Sequence, residues 1–160
     1  MNKHALKDAL LHSLDEEISA ALAAAGEAQA TASHEDNKPE NQYDTLALEA
    51  AYLAHGQSER ILQLQKTRID VSRWPVPELD ADAAIRLGAC VYLESVNDGM
   101  EACVFIAPIG GRTLLVDDHK ILAVSYETPL ARKLSGLCID DEVRLTLGGK
   151  EGDWEVVKVC

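Results

Sequence analysis

Four carboxylates, Glu35, Asp36, Glu40 and Asp44, crowd into the polar stretch from Ala32 to Thr45. This stretch separates two long segments of helical period, so the carboxylates belong at the far end of a helical hairpin, where they would form the acidic tip of a probe. The plainer reading of the same residues is a solvated, charge-rich turn. His34 adjoins them and could adjust the local charge. The other histidines, His4, His12, His55 and His119, are scattered and are expected on solvated surface. The four cysteines, Cys90, Cys103, Cys138 and Cys160, all fall in the second half, with no Cys-x-x-Cys pair and no histidine at ligand spacing. They read as small buried or terminal thiols of a reducing compartment, with Cys90 and Cys103 as a cross-strand redox pair the alternative. No P-loop, Rossmann glycine fingerprint, Gly-x-Ser-x-Gly or His-Glu-x-x-His motif is present.

Composition narrows the classes further. The chain has 160 residues, 47% hydrophobic and 26% charged, with a net charge of −12. Residues 1–77 carry seven basic and twelve acidic side chains and residues 78–160 carry eight and fifteen, so neither half is a basic patch. Sequence-independent affinity for nucleic acid depends on Lys and Arg displacing phosphate counterions. A role near nucleic acid must therefore run through a protein partner. With no apolar run of about 18 residues and no signal-like N-terminus, a cytoplasmic location is expected.

The elements that must position the acidic stretch are legible from period. Leu6, Leu10, Leu14, Ile18, Leu22 and Ala25 recur every three or four residues, which predicts a helix from Asn2 to about Ser33. At 1.5 Å per residue such a helix runs about 46 Å, too long for one small domain to bury, and so it needs an antiparallel partner. Pro39 suits the first position of that partner and Glu40 its first turn. Leu46, Ala50, Leu53, Gln57, Ile61 and Leu64 continue the seam to about Ile69, and Trp74-Pro-Val-Pro77 ends it. The period then changes. Ile85 to Leu93, Ala102 to Pro108, Thr113 to Val116, Val143 to Leu147 and Trp154 to Val159 are short β-type runs divided by Asn97-Asp98-Gly99, Gly110-Gly111 and Gly148-Gly149. Thr128 to Gly136 reads as a short helix with a threonine N-cap, proline at its first position and glycine past its end. The expected architecture is α+β: a hairpin over residues 1–75 with its tip near 34–44, then an antiparallel sheet domain over 78–160.

The segment Glu127-Thr-Pro-Leu-Ala-Arg-Lys-Leu-Ser-Gly-Leu-Cys-Ile-Asp-Asp-Glu-Val143, followed by Gly148-Gly-Lys and Trp154-Glu-Val-Val-Lys-Val159, resembles the C-terminal domain of the Gre transcript-cleavage factors, GreA and GreB. Order and spacing both match that family's Ser-Pro-Leu segment, acidic turn, Gly-Gly and aromatic-Glu-Val strand. The N-terminal half resembles the Gre coiled-coil hairpin in length, in its place ahead of the sheet domain, and in Glu40-Asn-Gln-Tyr43 and Ala47-Leu-Glu-Ala50 after the tip.

The resemblance implies an antiparallel coiled coil plus an FKBP-like domain. It implies an accessory factor, not itself an enzyme, that binds RNA polymerase and reaches DNA and RNA only through the polymerase complex. Thr128, Pro129, Leu130, Ala131, Arg132, Leu134 and Gly136 would then belong to the docking surface, with the strand from Ile121 to Ser125 beside them. The hairpin would enter the secondary channel as part of a monomer. Asp36 and Glu40 would share a Mg²⁺ with the polymerase, with no cofactor held by the chain itself, so that the polymerase cleaves its own backtracked RNA. Two metals about 4 Å apart stabilise attacking and leaving oxygens, and Mg²⁺ commonly takes only one or two carboxylates. One departure stands out: the family places its functional Glu three residues after the Asp, whereas here Pro39 holds that place and Glu40 follows. Two alternatives follow, a non-cleaving channel modulator resembling Rnk and, from another class, an FKBP-like prolyl isomerase or chaperone. The second would need an aromatic-lined pocket, and this chain has a single Phe and 4% aromatics.

Overall fold

The computed structural model describes residues 2–32, 45–80 and 82–160. The acidic stretch, with Asp36, Glu40 and Pro39, lies outside the described residues. Helix α1 spans Lys3–Ala32 and α2 spans Thr45–Arg73. They are followed by β1 (Cys90–Ser95), β2 (Glu101–Ala107), β3 (Arg112–Val116), β4 (His119–Ser125), α3 (Pro129–Leu134), β5 (Glu142–Leu147) and β6 (Lys150–Val159). This is the α+β order expected from the change of period. The chain divides into two compact units, residues 11–73 and residues 1–10 joined with 74–160.

In the helical unit the two helices run antiparallel, since Asp15 meets Arg68 while Glu17 meets Arg60. Leu14 and Ile18 on α1, with Ile61 and Val71 on α2, are buried as the helical spacing requires. The seam fades outward, contrary to expectation: Leu22 is 50% exposed and Leu53 69%. Both keep the heptad spacing, but α1 beyond Ile18 is mostly alanine, and alanine side chains are too short to cover a leucine opposite. Gln57 interrupts the same seam with a buried Oε1 that has no hydrogen-bond partner.

The second unit is built on a six-stranded sheet in the order β3-β4-β2-β1-β6-β5. Four pairings are antiparallel, but β2 and β4 pair in parallel, Val104 opposite Leu122 and Phe105 opposite Ala123. The antiparallel sheet expected from the sequence thus carries one parallel pairing. The cause is the β3–β4 hairpin, which turns back so that β4 rather than β3 lies beside β2. Gly110 permits this connection, because a Cβ there would collide with the backbone of Val124 and Ser125. The expected strand from Ile85 begins only at Cys90. Before it, Ile85 exchanges hydrogen bonds with the segment after α3, Ile85 N to Leu137 O at 2.8 Å and Gly136 N to Ile85 O at 2.9 Å.

Alternation gives the sheet two apolar faces. One carries Val91, Leu93, Val104, Ile106, Val124, Leu145, Trp154 and Val156, closed by Ala131 and Leu134 of α3. The other carries Cys90, Phe105, Ile121 and Ala123, all fully buried. The Trp74 ring lies 6.1 Å from that of Phe105. Residues 1–10 belong to this unit: Leu6 and Leu10 are fully buried. Lys3 Nζ donates to Pro77 O at 2.8 Å and Lys7 Nζ to Trp74 O at 2.7 Å.

Candidate partner-docking site

The described part of the candidate site is the corner where β4 runs into α3. Thr128 makes that corner. Its hydroxyl donates to Ser125 O at 2.8 Å and accepts from Ala131 N at 3.3 Å, while Thr128 N also donates to Ser125 O at 3.0 Å. One side chain thus ends the strand and caps the helix, satisfying a donor that the first helical turn leaves over. Pro129 follows at the first helical position, where its missing N–H is not needed. The helix stops at Leu134, Ser135 N donating to Ala131 O at 2.9 Å, and Gly136 takes φ 87°, a left-handed backbone that glycine adopts without strain.

The seven residues expected at the docking surface separate into two roles. Ala131 and Leu134 are 2% and 0% exposed, so they hold α3 to the sheet. Pro129, Arg132 and Gly136 are exposed, and Thr128 and Leu130 are half-buried. The side chains open to a partner are therefore Pro129 and Arg132, flanked by Lys133 and by Tyr126, which is 48% exposed. Lys133 Nζ is tied to Arg144 O on β5 at 2.9 Å, which leaves Arg132 as the cation facing outward along this helix.

Along the hairpin, the described polar contacts brace rather than bind. Arg68 grips both carboxylate oxygens of Asp15, Nη2 to Oδ2 at 3.0 Å, and holds that carboxyl below the usual carboxylate range. Arg60 Nη2 reaches Glu17 Oε1 at 3.0 Å. Both pairs are solvent-exposed, where such contacts fix orientation more than they stabilise.

Two further features lie away from the β4–α3 corner. A pocket of about 120 Å³ lies between the β1–β2 and β5–β6 turns, lined among others by Ser95, Asp98, Lys150 and Trp154. The Trp154 indole N–H is buried without a hydrogen-bond partner. The Cys90 and Cys103 sulfurs, posed in the sequence only as an alternative to inert thiols, stand 3.4 Å apart. No group of three or more His, Cys, Asp or Glu side chains among the described residues is arranged to hold a metal ion.

No family model matches the chain, and no curated protein does. Among solved structures it is similar to the GreA factor homolog 1 (Gfh1) protein of Thermus thermophilus, at 19% identity and TM-score 0.41 over 94% of each chain. Thermus aquaticus Gfh1 is similar at 19% identity and TM-score 0.41, covering 95% of this chain and 94% of that one. The GreA/GreB elongation factor of Nitrosomonas europaea is similar at 20% identity and TM-score 0.38, covering 63% of this chain and 89% of that one.

Proposed function

We propose that this chain is a transcription elongation factor of the Gre type, which docks on RNA polymerase through the β4–α3 corner and inserts the hairpin tip to stimulate cleavage of backtracked RNA. The observation that carries the reading is the segment from Glu127 to Val159. The residues that resemble the Gre signature are the ones that build the capped corner, the Gly148-Gly149 turn and the β6 strand. The pair of long antiparallel helices supplies the other half of the device. In this reading Asp36 and Glu40 would contribute carboxylates to a Mg²⁺ shared with the polymerase; the chain itself would supply charge and position, and the polymerase the rest of the active centre.

The displaced spacing of Asp36 and Glu40 around Pro39 favours a second reading, a modulator that occupies the channel without promoting cleavage. Pro39 biases Lys38 toward extended geometry, which would turn the two carboxylates apart.

A pulldown with core RNA polymerase, followed by a cleavage assay on a stalled complex, separates the readings. Under the first, Asp36→Asn or Glu40→Gln lowers stimulated cleavage by orders of magnitude with binding nearly unchanged, and higher Mg²⁺ partly restores it by mass action. Arg132→Glu weakens binding in the same pulldown. Wild-type protein that binds, competes with a genuine Gre factor and yields no shortened transcript at any Mg²⁺ concentration leaves only the modulator. Failure to bind polymerase at all sinks both.

A further inference from the structure

We propose that Cys90 and Cys103 form a reversible oxidation site, a dithiol that a hydroperoxide converts to a disulfide stapling β1 to β2. The register places both on one face: Cys90 lies opposite Phe105 and Tyr92 opposite Cys103, so the two thiols are diagonal neighbours across the pair. Their sulfurs are 3.4 Å apart, so a bond of ordinary length needs an approach of only about 1.4 Å. The two differ in access as a reactive pair requires, since Cys90 is fully enclosed while Cys103 is half-buried.

The environment also assigns the roles. The contact with Cys90 lowers the Cys103 pKa, and the same contact, with burial, raises that of Cys90. Cys103 is the sulfur that solvent and a peroxide can reach, and its lowered pKa favours the thiolate there, so Cys103 attacks first. In the first step the Cys103 thiolate attacks one peroxide oxygen and the O–O bond breaks. Sulfenic acid forms on Cys103, and the departing hydroxide combines with the proton that the Cys103 thiol released to solvent on ionising, giving the first water. The Cys90 sulfur attacks the Cys103 sulfur, its proton goes to the leaving hydroxide, the S–O bond breaks and the S–S bond forms. Two thiols and one peroxide give one disulfide and two waters.

Cys160 competes for the same partner. It exchanges both backbone hydrogen bonds with Cys90, N to O at 2.9 Å in each direction, on the opposite side from β2. Cys138 does not belong to this cluster and serves as an internal reference thiol. The test treats the full-length protein with stoichiometric hydrogen peroxide, alkylates it after denaturation, and digests it at glutamate. Glu94 and Glu101 lie between Cys90 and Cys103, so digestion separates the two unless they are bridged.

Cys90 and Cys103 should lose alkylation together, appear as one linked pair of peptides lighter by two hydrogens, and regain both marks after dithiothreitol. Cys138 should stay alkylated throughout. Cys103→Ser should leave Cys90 fully alkylatable after peroxide, and Cys160→Ser should leave the bridge intact. Sulfinic acid on Cys103 with Cys90 still alkylated, a bridge from Cys90 to Cys160, or oxidation of Cys138 at the same rate would each overturn the assignment.

Discussion

Trp154 shows at residue scale how position decides what a side chain contributes. Its ring is 4% exposed and packs in the α3-covered face, but its N–H finds no partner. Burying an unpaired donor costs about 1–3 kcal/mol. Trp154→Phe removes the donor while losing some packing, so it should lower stability by less than about 2 kcal/mol. Leu134→Ala, by contrast, opens a cavity under α3 and should cost about 2–5 kcal/mol. Thermal or urea unfolding of the two variants checks the order; a Trp154→Phe loss as large as that of Leu134→Ala would mean that the indole nitrogen has a partner. The two residues were not equally legible in the sequence. The β6 pattern placed Trp154 on a strand, but alternation carries no information about whether an indole nitrogen meets an acceptor. The Thr128–Pro129 cap was readable as it stood, because the signal and the contact that satisfies it lie within four residues of each other.

At the scale of elements, the sequence revealed what depends on neighbours in the chain and missed what depends on partners across it. The helices, their proline stop and the Gly148-Gly149 hairpin were legible, the last because both glycines take positive φ, at 59° and 80°. The β3–β4 turn was harder to see, because Asp117 and Asp118 occupy the same left-handed conformation, at φ 51° and 62°, without a glycine to mark it. With that turn unmarked, the parallel contact of β2 with β4 was hidden too. The fading seam is a second case. Spacing placed Leu53 in the hairpin interface, and the structure exposes it because the opposing half of α1 is alanine-rich. This separates two substitutions at one site. Leu53→Ala removes an exposed side chain and should change the melting temperature little. Leu53→Pro removes a backbone hydrogen bond inside α2, costs about 3 kcal/mol or more, and should lower the helical signal in circular dichroism and abolish the activity proposed above while the sheet retains its strand signal. Equal effects from both would show that Leu53 acts through its side chain.

For the whole molecule, the informative fact is that the first ten residues group with the sheet and not with the rest of their own helix. Burial lowers the pKa of Lys3, and its Nζ is held by Pro77 O. Sequence pattern cannot show this, since α1 is one continuous periodic run and nothing in it marks where its packing partner changes. The consequence is that a fragment of residues 78–160 lacks part of its own unit. Such a fragment lacks the Trp74 ring beside Phe105 and the fully buried Leu6 and Leu10 of the same unit. Each fully buried leucine contributes about 2–5 kcal/mol against truncation to alanine, and a small domain has only about 5–15 kcal/mol in total. The fragment should therefore melt well below the sheet in the full chain and bind a dye that reports exposed apolar surface. Leu6→Ala in the intact protein should lower the melting temperature of the sheet in the same direction by a smaller step. A fragment that melts with the full chain and binds no dye would show that residues 1–10 contribute nothing to the sheet.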